Sequence, residues 1–341
     1  MHTIPPSTKS LISKSRAFLL VAAWIIGAAT AVAQQERSPF TVVLLPDTQK
    51  YTQMPPANNP YFIQTRWIKD NAEAKNIKFV IHLGDIVQSR NSVRSEWKIA
   101  GDAHAILEQG PNPVPYSMVP GNHDLSGSDA PDYVRDTSLY NEFFGPKRFA
   151  SRAWYGGHQD KTNDNNYCLF KAAGMDFMVL SLELLPSDAT LAWADGVIKA
   201  HPKHRVIIAT HRYLQPSGKR SPDRVYGGAK GNNGTDIFNK LVKNNPTVFM
   251  TVSGHLCYEA LNVAENASGG KVFEILSDYQ SLPFGGRGWL RTLKFDPSRN
   301  KITVGSYSPV LDKHNYGKGA YQLDYNMEVP KVQQAAVDSS K

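Results

Sequence analysis

Tyr116-Ser117-Met118-Val119-Pro120-Gly121-Asn122-His123-Asp124 is the stretch on which the reading of the fold turns. A short apolar run, Tyr116 to Val119, leads into a glycine loop that carries Asn and His side by side. Two adjacent polar groups at such a point are not explained by packing, so the stretch reads as a loop leaving the end of a buried strand. Four other apolar runs end in the same way. Phe40 to Leu45 precedes Asp47-Thr48-Gln49, Phe79 to His82 precedes Gly84-Asp85, Val206 to Ala209 precedes His211, and Val248 to Val252 precedes Gly254-His255-Leu256-Cys257. Five strands that each deliver an oxygen, nitrogen or sulfur donor where they end describe how an open α/β sheet presents a ligand site at its carboxyl edge.

The segments between these runs support that frame. Asn59-Pro60 is a helix start, with Asn as cap and Pro in the first turn, and Phe62, Ile63, Trp67, Ile68 and Ala72 follow at helical spacing. Trp97, Ala100, His104 and Leu107 share one face of a second helix, which makes His104 a core histidine. Up to Met118 the order is therefore βαβαβ, for which a parallel sheet with right-handed crossovers is the natural outcome. From Leu125 to Asn165 the chain is loop-rich and aromatic, consistent with either a cap over the core or a wall of a cleft. A hairpin of two strands, Tyr167 to Lys171 and Phe177 to Leu182, comes next. It is followed by helices over Asp188 to Ala200 and Asp236 to Lys243, with the strand Arg205 to Thr210 and a Gly/Pro/Ser-rich loop between them. After Asn245-Pro246 the short strands and tight turns predict an antiparallel meander.

Apolar content of 41% and charged content of 20% exclude a globally disordered chain, and 341 residues suffice for a sizeable core. Residues 1–33 stand apart, with Lys9, Lys14 and Arg16 before an apolar run and then Ala31-Val32-Ala33. This predicts an exported protein with a signal peptide over 1–33, cut before Gln34, the competing reading being an uncleaved anchor. A single domain is expected over 38–326, followed by a flexible polar tail over 327–341. No membrane span and no stable nucleic-acid complex are expected of the mature chain. Of the two cysteines, Cys168 reads as a buried small residue, and a bond between Cys168 and Cys257 is the alternative.

Together the strand ends supply Asp47, Gln49, Asp85, Asn122, His211, His255 and Cys257. Seven donors with a central carboxylate exceed what one tetrahedral ion takes and suit two ions that share a bridging Asp. Such a pair clamps a phosphate and ionises a water for in-line attack. His123 is placed to protonate the leaving oxygen and Asp124 to orient it. Arg212 and Tyr213, directly after His211, are in reach of a phosphate, while His82 reads as buried inside its strand.

In this order the five blocks resemble those of the calcineurin-like metallophosphoesterase superfamily. The resemblance implies a four-layer α/β/β/α sandwich of two mixed sheets with flanking helices. It implies that Asp47, Gln49 and Cys257 bind a first ion, that Asp85 bridges, and that Asn122, His211 and His255 bind a second. The ions would be divalent or mixed-valence: Mn, Fe or Zn. His123 matches the residue that protonates the leaving group, and Asn122 and Arg212 would touch the substrate, a phosphorylated small molecule, nucleotide or lipid-like compound. Two positions depart from the common Asp-x-His and Gly-His-x-His blocks, and both fall on the first ion. Gln49 is similar to the Asp-x-Gln block of manganese-dependent ADP-ribose/CDP-alcohol pyrophosphatases. Cys257 would be a thiolate favouring Zn or Fe if it ligates, and a small apolar residue if it packs inward. Phosphoesterase, phosphodiesterase or pyrophosphatase, and a binding protein that holds an anion through metal without turnover, are the functions this predicts.

Overall fold

The structure, a computed structural model, describes residues 37–125, 135–226, 229–317 and 319–328. The predicted leader and all but two residues of the predicted tail lie outside the described residues, as does Tyr133 of the aromatic segment.

The βαβαβ start is present: β1 (Phe40–Leu45), α1 (Pro60–Asp70), β2 (Ile77–His82), α2 (Arg94–Ala105) and β3 (Tyr116–Met118). All three strands are parallel. Every residue of β1 is buried, which is why it reads as an unbroken apolar run rather than an alternating one. At the start of α1, Asn59 Oδ1 accepts from the backbone N–H of Tyr61 at 2.9 Å and Pro60 sits in the first turn, so the predicted cap is realised.

The remaining strands build two seven-stranded mixed sheets. In the first, β1 also pairs antiparallel with β13 (Leu290–Asp296), which pairs with β14 (Lys301–Ser308). The far edge of β14 is covered by β15 (Lys313–His314) and β16 (Tyr321–Asp324). The second sheet runs in the order β11 (Tyr258–Glu265), β12 (Lys271–Asp278), β10 (Val248–Ser253), β7 (Arg205–Thr210), β6 (Met175–Leu182), β5 (Asn166–Ala172), β4 (Tyr155–His158). A two-stranded hairpin, β8 (Val225–Tyr226) and β9 (Ala229–Lys230), stands apart.

The strand period of two divides the core. In β6, Phe177 and Val179 join the cluster shared with the first sheet, whereas Met178, Leu180 and Leu182 join a second cluster with Leu191, Ala194 and Ile198 of α5 (Asp188–Ala200). Between the sheets, the ring of Phe40 lies 5.5 Å from Phe177 and Phe79 lies 5.0 Å from Phe170, while within the first sheet Phe40 stacks on Phe295 at 4.6 Å. Each such buried ring contributes on the order of 1.5–3 kcal/mol. With α1 and α2 on the first sheet and α5 on the second, the predicted four layers are in place.

Three expectations are corrected. The meander after Pro246 is not one antiparallel unit, because β12 runs parallel to β10 while β13 and β14 belong to the other sheet. The helix expected over Asp236 to Lys243 begins earlier, as α6 (Gly234–Ile237), capped by Asn233 Oδ1 accepting from Asp236 N–H at 2.9 Å, and continues as a π-turn over Phe238–Val242. The described part of the aromatic segment holds α3 (Ser138–Phe144) and α4 (Pro146–Phe149), whose Tyr140, Phe144 and Phe149 pack against Trp97, His104 and Tyr116. For these rings the cap reading is the correct one. Cys168 is buried and both cysteines are free, so there is no disulfide.

Candidate metal centre

The carboxyl ends of β1, β2 and β3 from one sheet meet those of β7, β10 and β12 from the other. The meeting point is His211. Its Nδ1 donates to the Leu83 carbonyl at 2.8 Å, so Nε2 is the nitrogen whose lone pair becomes available when the ring is neutral. Around that Nε2, each at 3.2 Å, stand Asn122 Oδ1, Asp85 Oδ1 and His255 Nδ1. Four ligand atoms thus crowd one point, and in the metal-free protein a proton on His211 Nε2, which Asp85 favours, is what they share. A cation satisfies all four at once, so the donor set fits the metal that the sequence predicts. The ligand atoms of Asp85, His211 and His255 lie within 4.8 Å of one another.

The backbone is bent to make this approach. Asp85 and His255 are both held at positive φ, +49° and +73°, a region that side chains rarely adopt and that active sites tolerate. Gly121 and Gly254 are glycines because of contact rather than φ. A Cβ on Gly121 would sit 2.3 Å from Asp85 Oδ1, and one on Gly254 would sit 2.2 Å from Asp47 Oδ1.

Beside this cluster lies the place predicted for the first ion. Asp47 accepts from the backbone N–H of His255 and from Gln280 Nε2, all at 3.2 Å. Gln49 Nε2 donates to Asp85 Oδ2 at 3.0 Å, while Gln49 Oε1 is buried without a hydrogen-bond partner. Of the seven predicted ligands, Asp47, Gln49, Asp85, Asn122, His211 and His255 converge. Cys257 does not join them: its Sγ donates to the main-chain carbonyl of Asp278 at 3.4 Å, and burial, then the Asp278 charge, pushes the thiol up to about 11.

The charges explain one another. Burial alone would raise Asp85, but His211, with smaller help from His123 and His255, holds it well below the usual carboxylate range. Burial would lower His211, and Asp85 raises it. His255 is pushed down to about 3 by burial and by His211. Asp47 is pushed up by burial, then by Asp278 and Asp85.

His123 and Asp124 are neighbours with different surroundings, and Asp124 does not contact the His123 ring as the sequence reading expects. His123 Nδ1 donates to the Gln88 carbonyl at 2.7 Å and its backbone N–H donates to Asp85 Oδ1 at 2.8 Å, so Nε2 is the nitrogen left to face outward. The Gln88 carbonyl therefore orients the ring. Asp124 is fully buried and accepts from the backbone N–H groups of Ile86 (2.9 Å), Val87 (3.1 Å) and Gly121 (2.8 Å). It fastens two metal-site loops together, because buried N–H groups at a strand end need an acceptor and a short carboxylate is the one within reach.

Arg212 lies beside the cluster with part of its guanidinium uncommitted. Its Nη2 pairs with Asp223, its guanidinium stacks 4.1 Å from the Tyr226 ring centre, and Tyr226 in turn lies 4.8 Å from the His255 ring. Nε and Nη1 of Arg212 are buried without partners. Tyr213, by contrast, is buried and donates to Glu274 at 2.7 Å, out of use for a substrate. His82 is structural, as its place inside the strand predicts: Gly84 N–H donates to its Nδ1, and its Nε2 bonds Thr48 Oγ1 at 2.9 Å.

Sequence reasoning missed Asp278 and Gln280. Asp278 is a buried carboxylate at the end of β12, pushed up to about 6 by burial. The signal was available, since Lys271 to Ser277 is another apolar run with a donor at its end, but a meander reading leaves the direction of that run undetermined.

Comparison with known proteins gives the family. The family model described as calcineurin-like phosphoesterase matches residues 40–259. The chain is 34% identical over 321 residues to the uncharacterized protein YvnB of Bacillus subtilis (strain 168), an alignment covering 89% of this chain. It spans 23% of the length of that relative. In fold it is similar to a dimetal phosphatase from Danio rerio, with a TM-score of 0.52 and 16% identity over 85% of this chain and 100% of that one.

Proposed function

The chain belongs to the calcineurin-like phosphoesterase family, and on that premise we propose that it hydrolyses phosphate esters at the cluster around His211. The observation that carries this reading is the convergence of Asp85, Asn122 and His255 on His211 Nε2, each at 3.2 Å. Asn122, His211 and His255 would hold one divalent cation, Asp47 and Gln49 a second, and Asp85 both. Such a pair supplies Lewis acidity, which polarises the phosphate and acidifies water.

The protein's own groups supply the rest. Nε and Nη1 of Arg212 are free and can each give a single hydrogen bond to a phosphate oxygen, while Nη2, the member common to both guanidinium forks, is held by Asp223. His123, held through Nδ1, presents Nε2 to protonate the departing oxygen. Asp124 keeps the loops of Asp85 and Asn122 in register. Gln280 ties Asp47 to the His255 main chain, donating to both from Nε2 at 3.2 and 3.1 Å.

A diester or pyrophosphate with a nucleoside-like group is the narrower reading. It is supported by a cavity of about 580 Å³ that begins one residue past Cys257 and is lined by Tyr258, Glu259, Arg291, Tyr316 and Tyr321. Tyr258 is exposed and stacks on Tyr316, a surface suited to a flat ring. Export rests on the sequence of residues 1–33 alone, and sequencing the N-terminus of the secreted product tests it.

The test of function is a panel of aryl and nucleotide mono-, di- and pyrophosphate esters, run on the full chain with Mn²⁺, Zn²⁺ or chelator. Metal-dependent turnover that Asp85→Asn abolishes is the expected result. A metal-replete protein inert across the panel would leave the metal-dependent binding protein as the correct reading.

A further inference from the structure

We propose that Asp278 is a carboxylate ligand of the first cation, taking the position that Cys257 leaves. The proposal rests on the dinuclear reading above and specifies its less complete half.

Asp278 arrives at the site by topology. Because β12 runs parallel to β10, its carboxyl end lies at the same sheet edge as His255, two residues beyond β10. Its side chain is buried, Oδ1 accepts from the Gln280 N–H at 2.8 Å, and Oδ2 has no partner. A buried carboxylate oxygen without a proton donor is costly unless a cation faces it. Gln49 Oε1 is bare in the same way. Gln280 links the two carboxylates, its backbone N–H donating to Asp278 at 2.8 Å and its side-chain amide to Asp47 at 3.2 Å.

Cys257 is unsuited to the role. Its thiol is already committed to the Asp278 main-chain carbonyl at 3.4 Å. With Asp278 in place, the first ion has three carboxylates (Asp47, Asp85, Asp278) and one amide oxygen (Gln49), an all-oxygen set that selects hard divalent cations rather than the zinc or iron a thiolate would favour.

The experiment loads the full chain with Mn²⁺ and compares wild type, Asp278→Asn, Asp278→Ala and Cys257→Ala by metal content and electron paramagnetic resonance. Wild type and Cys257→Ala are expected to hold two ions with an exchange-coupled signal. Both Asp278 variants are expected to hold one ion with an isolated six-line spectrum, the first-site affinity falling on the order of 10²-fold or more, beyond the loss typical of outer partners. A thermal melt confirms folding: without metal, Asp278→Asn should melt at or above wild type, because a buried charge beside Asp47 is gone. Two ions retained in Asp278→Asn, or one lost in Cys257→Ala, would overturn the assignment and leave the dinuclear reading standing. One ion in wild type would overturn the dinuclear reading and the assignment with it.

Discussion

Replacing Asp124 with Asn separates a role in the backbone from a role in proton transfer. In the folded protein its two oxygens serve the N–H groups of Ile86, Val87 and Gly121 at 2.8–3.1 Å. Asparagine keeps one oxygen and turns the other position into a donor, so one or two N–H groups lose their acceptor. At about 1–3 kcal/mol for each unsatisfied buried group, the gross cost is about 1–6 kcal/mol. Part of this is offset by removing a charge that burial and then Asp85 push up to about 7. A net loss of about 2 kcal/mol corresponds to a fall of about 3–4 °C in Tm for a domain of this size.

The sign of the pH dependence follows. The folded pKa lies above the unfolded value of 3.8, so the metal-free folded state binds the extra proton, and this group's contribution to stability declines as pH rises from roughly 4 to 7. Asp124→Asn should lack that slope. Asp124→Ala, leaving three N–H groups bare, should approach the whole stability of a typical domain, roughly 5–15 kcal/mol, and fold poorly. The assay is thermal denaturation against pH, with turnover measured for good and poor leaving groups on the same preparations. If Asp124→Asn melted like wild type and lost rate only on poor leaving groups, Asp124 would be orienting His123 after all and the backbone reading would be wrong.

Three further outcomes are expected. His123→Ala should keep both ions and lose about 10²- to 10⁴-fold in rate, most with poor leaving groups, as general acid catalysis requires; an equal loss for all leaving groups would make His123 a binding residue. Gly121→Ala, which would place a methyl 2.3 Å from Asp85 Oδ1, should displace that carboxylate and lower bound metal even where the fold survives, so unchanged metal content would refute the contact as drawn. Because Asp85 raises His211, a cation must displace a proton there, and affinity for metal should increase as pH rises above about 6.5 with proton release measurable by calorimetry in different buffers. Affinity independent of pH across that window would contradict the His211–Asp85 coupling.

Much of the site was legible because the strand ends announce it. Asp47, Asp85, Asn122, His211 and His255 each follow an apolar run, and a polar donor at the end of a buried strand costs stability unless it binds something. What the sequence could not state was the direction and partner of a strand. The run 271–277 looks the same whether it pairs parallel with β10 or antiparallel in a meander, and only the parallel pairing brings Asp278 to the site. Likewise β13 reads as a continuation of its neighbours although its partner is β1, about 250 residues earlier, chosen through stacking such as Phe40 on Phe295. Asp124 was misread for a different reason. A carboxylate beside a histidine is equally compatible with orienting it and with capping the backbone, and only coordinates distinguish the two.

The two sheets contribute the proposed ligands in nearly equal shares: Asp47, Gln49, Asp85 and Asn122 from one, His211, His255 and Asp278 from the other. A cation bound among them is therefore also a clasp across the seam that phenylalanine rings otherwise close. At a concentration of 100 times its Kd, a ligand that binds only the folded state adds about 2.7 kcal/mol of stability. Here that gain falls on one mode of opening, the parting of the sheets at their carboxyl edge. Amide hydrogens near residues 83–87 and 209–214 should exchange more slowly when metal is bound, while those of β15 and β16, on the far edge of the first sheet, should not notice it.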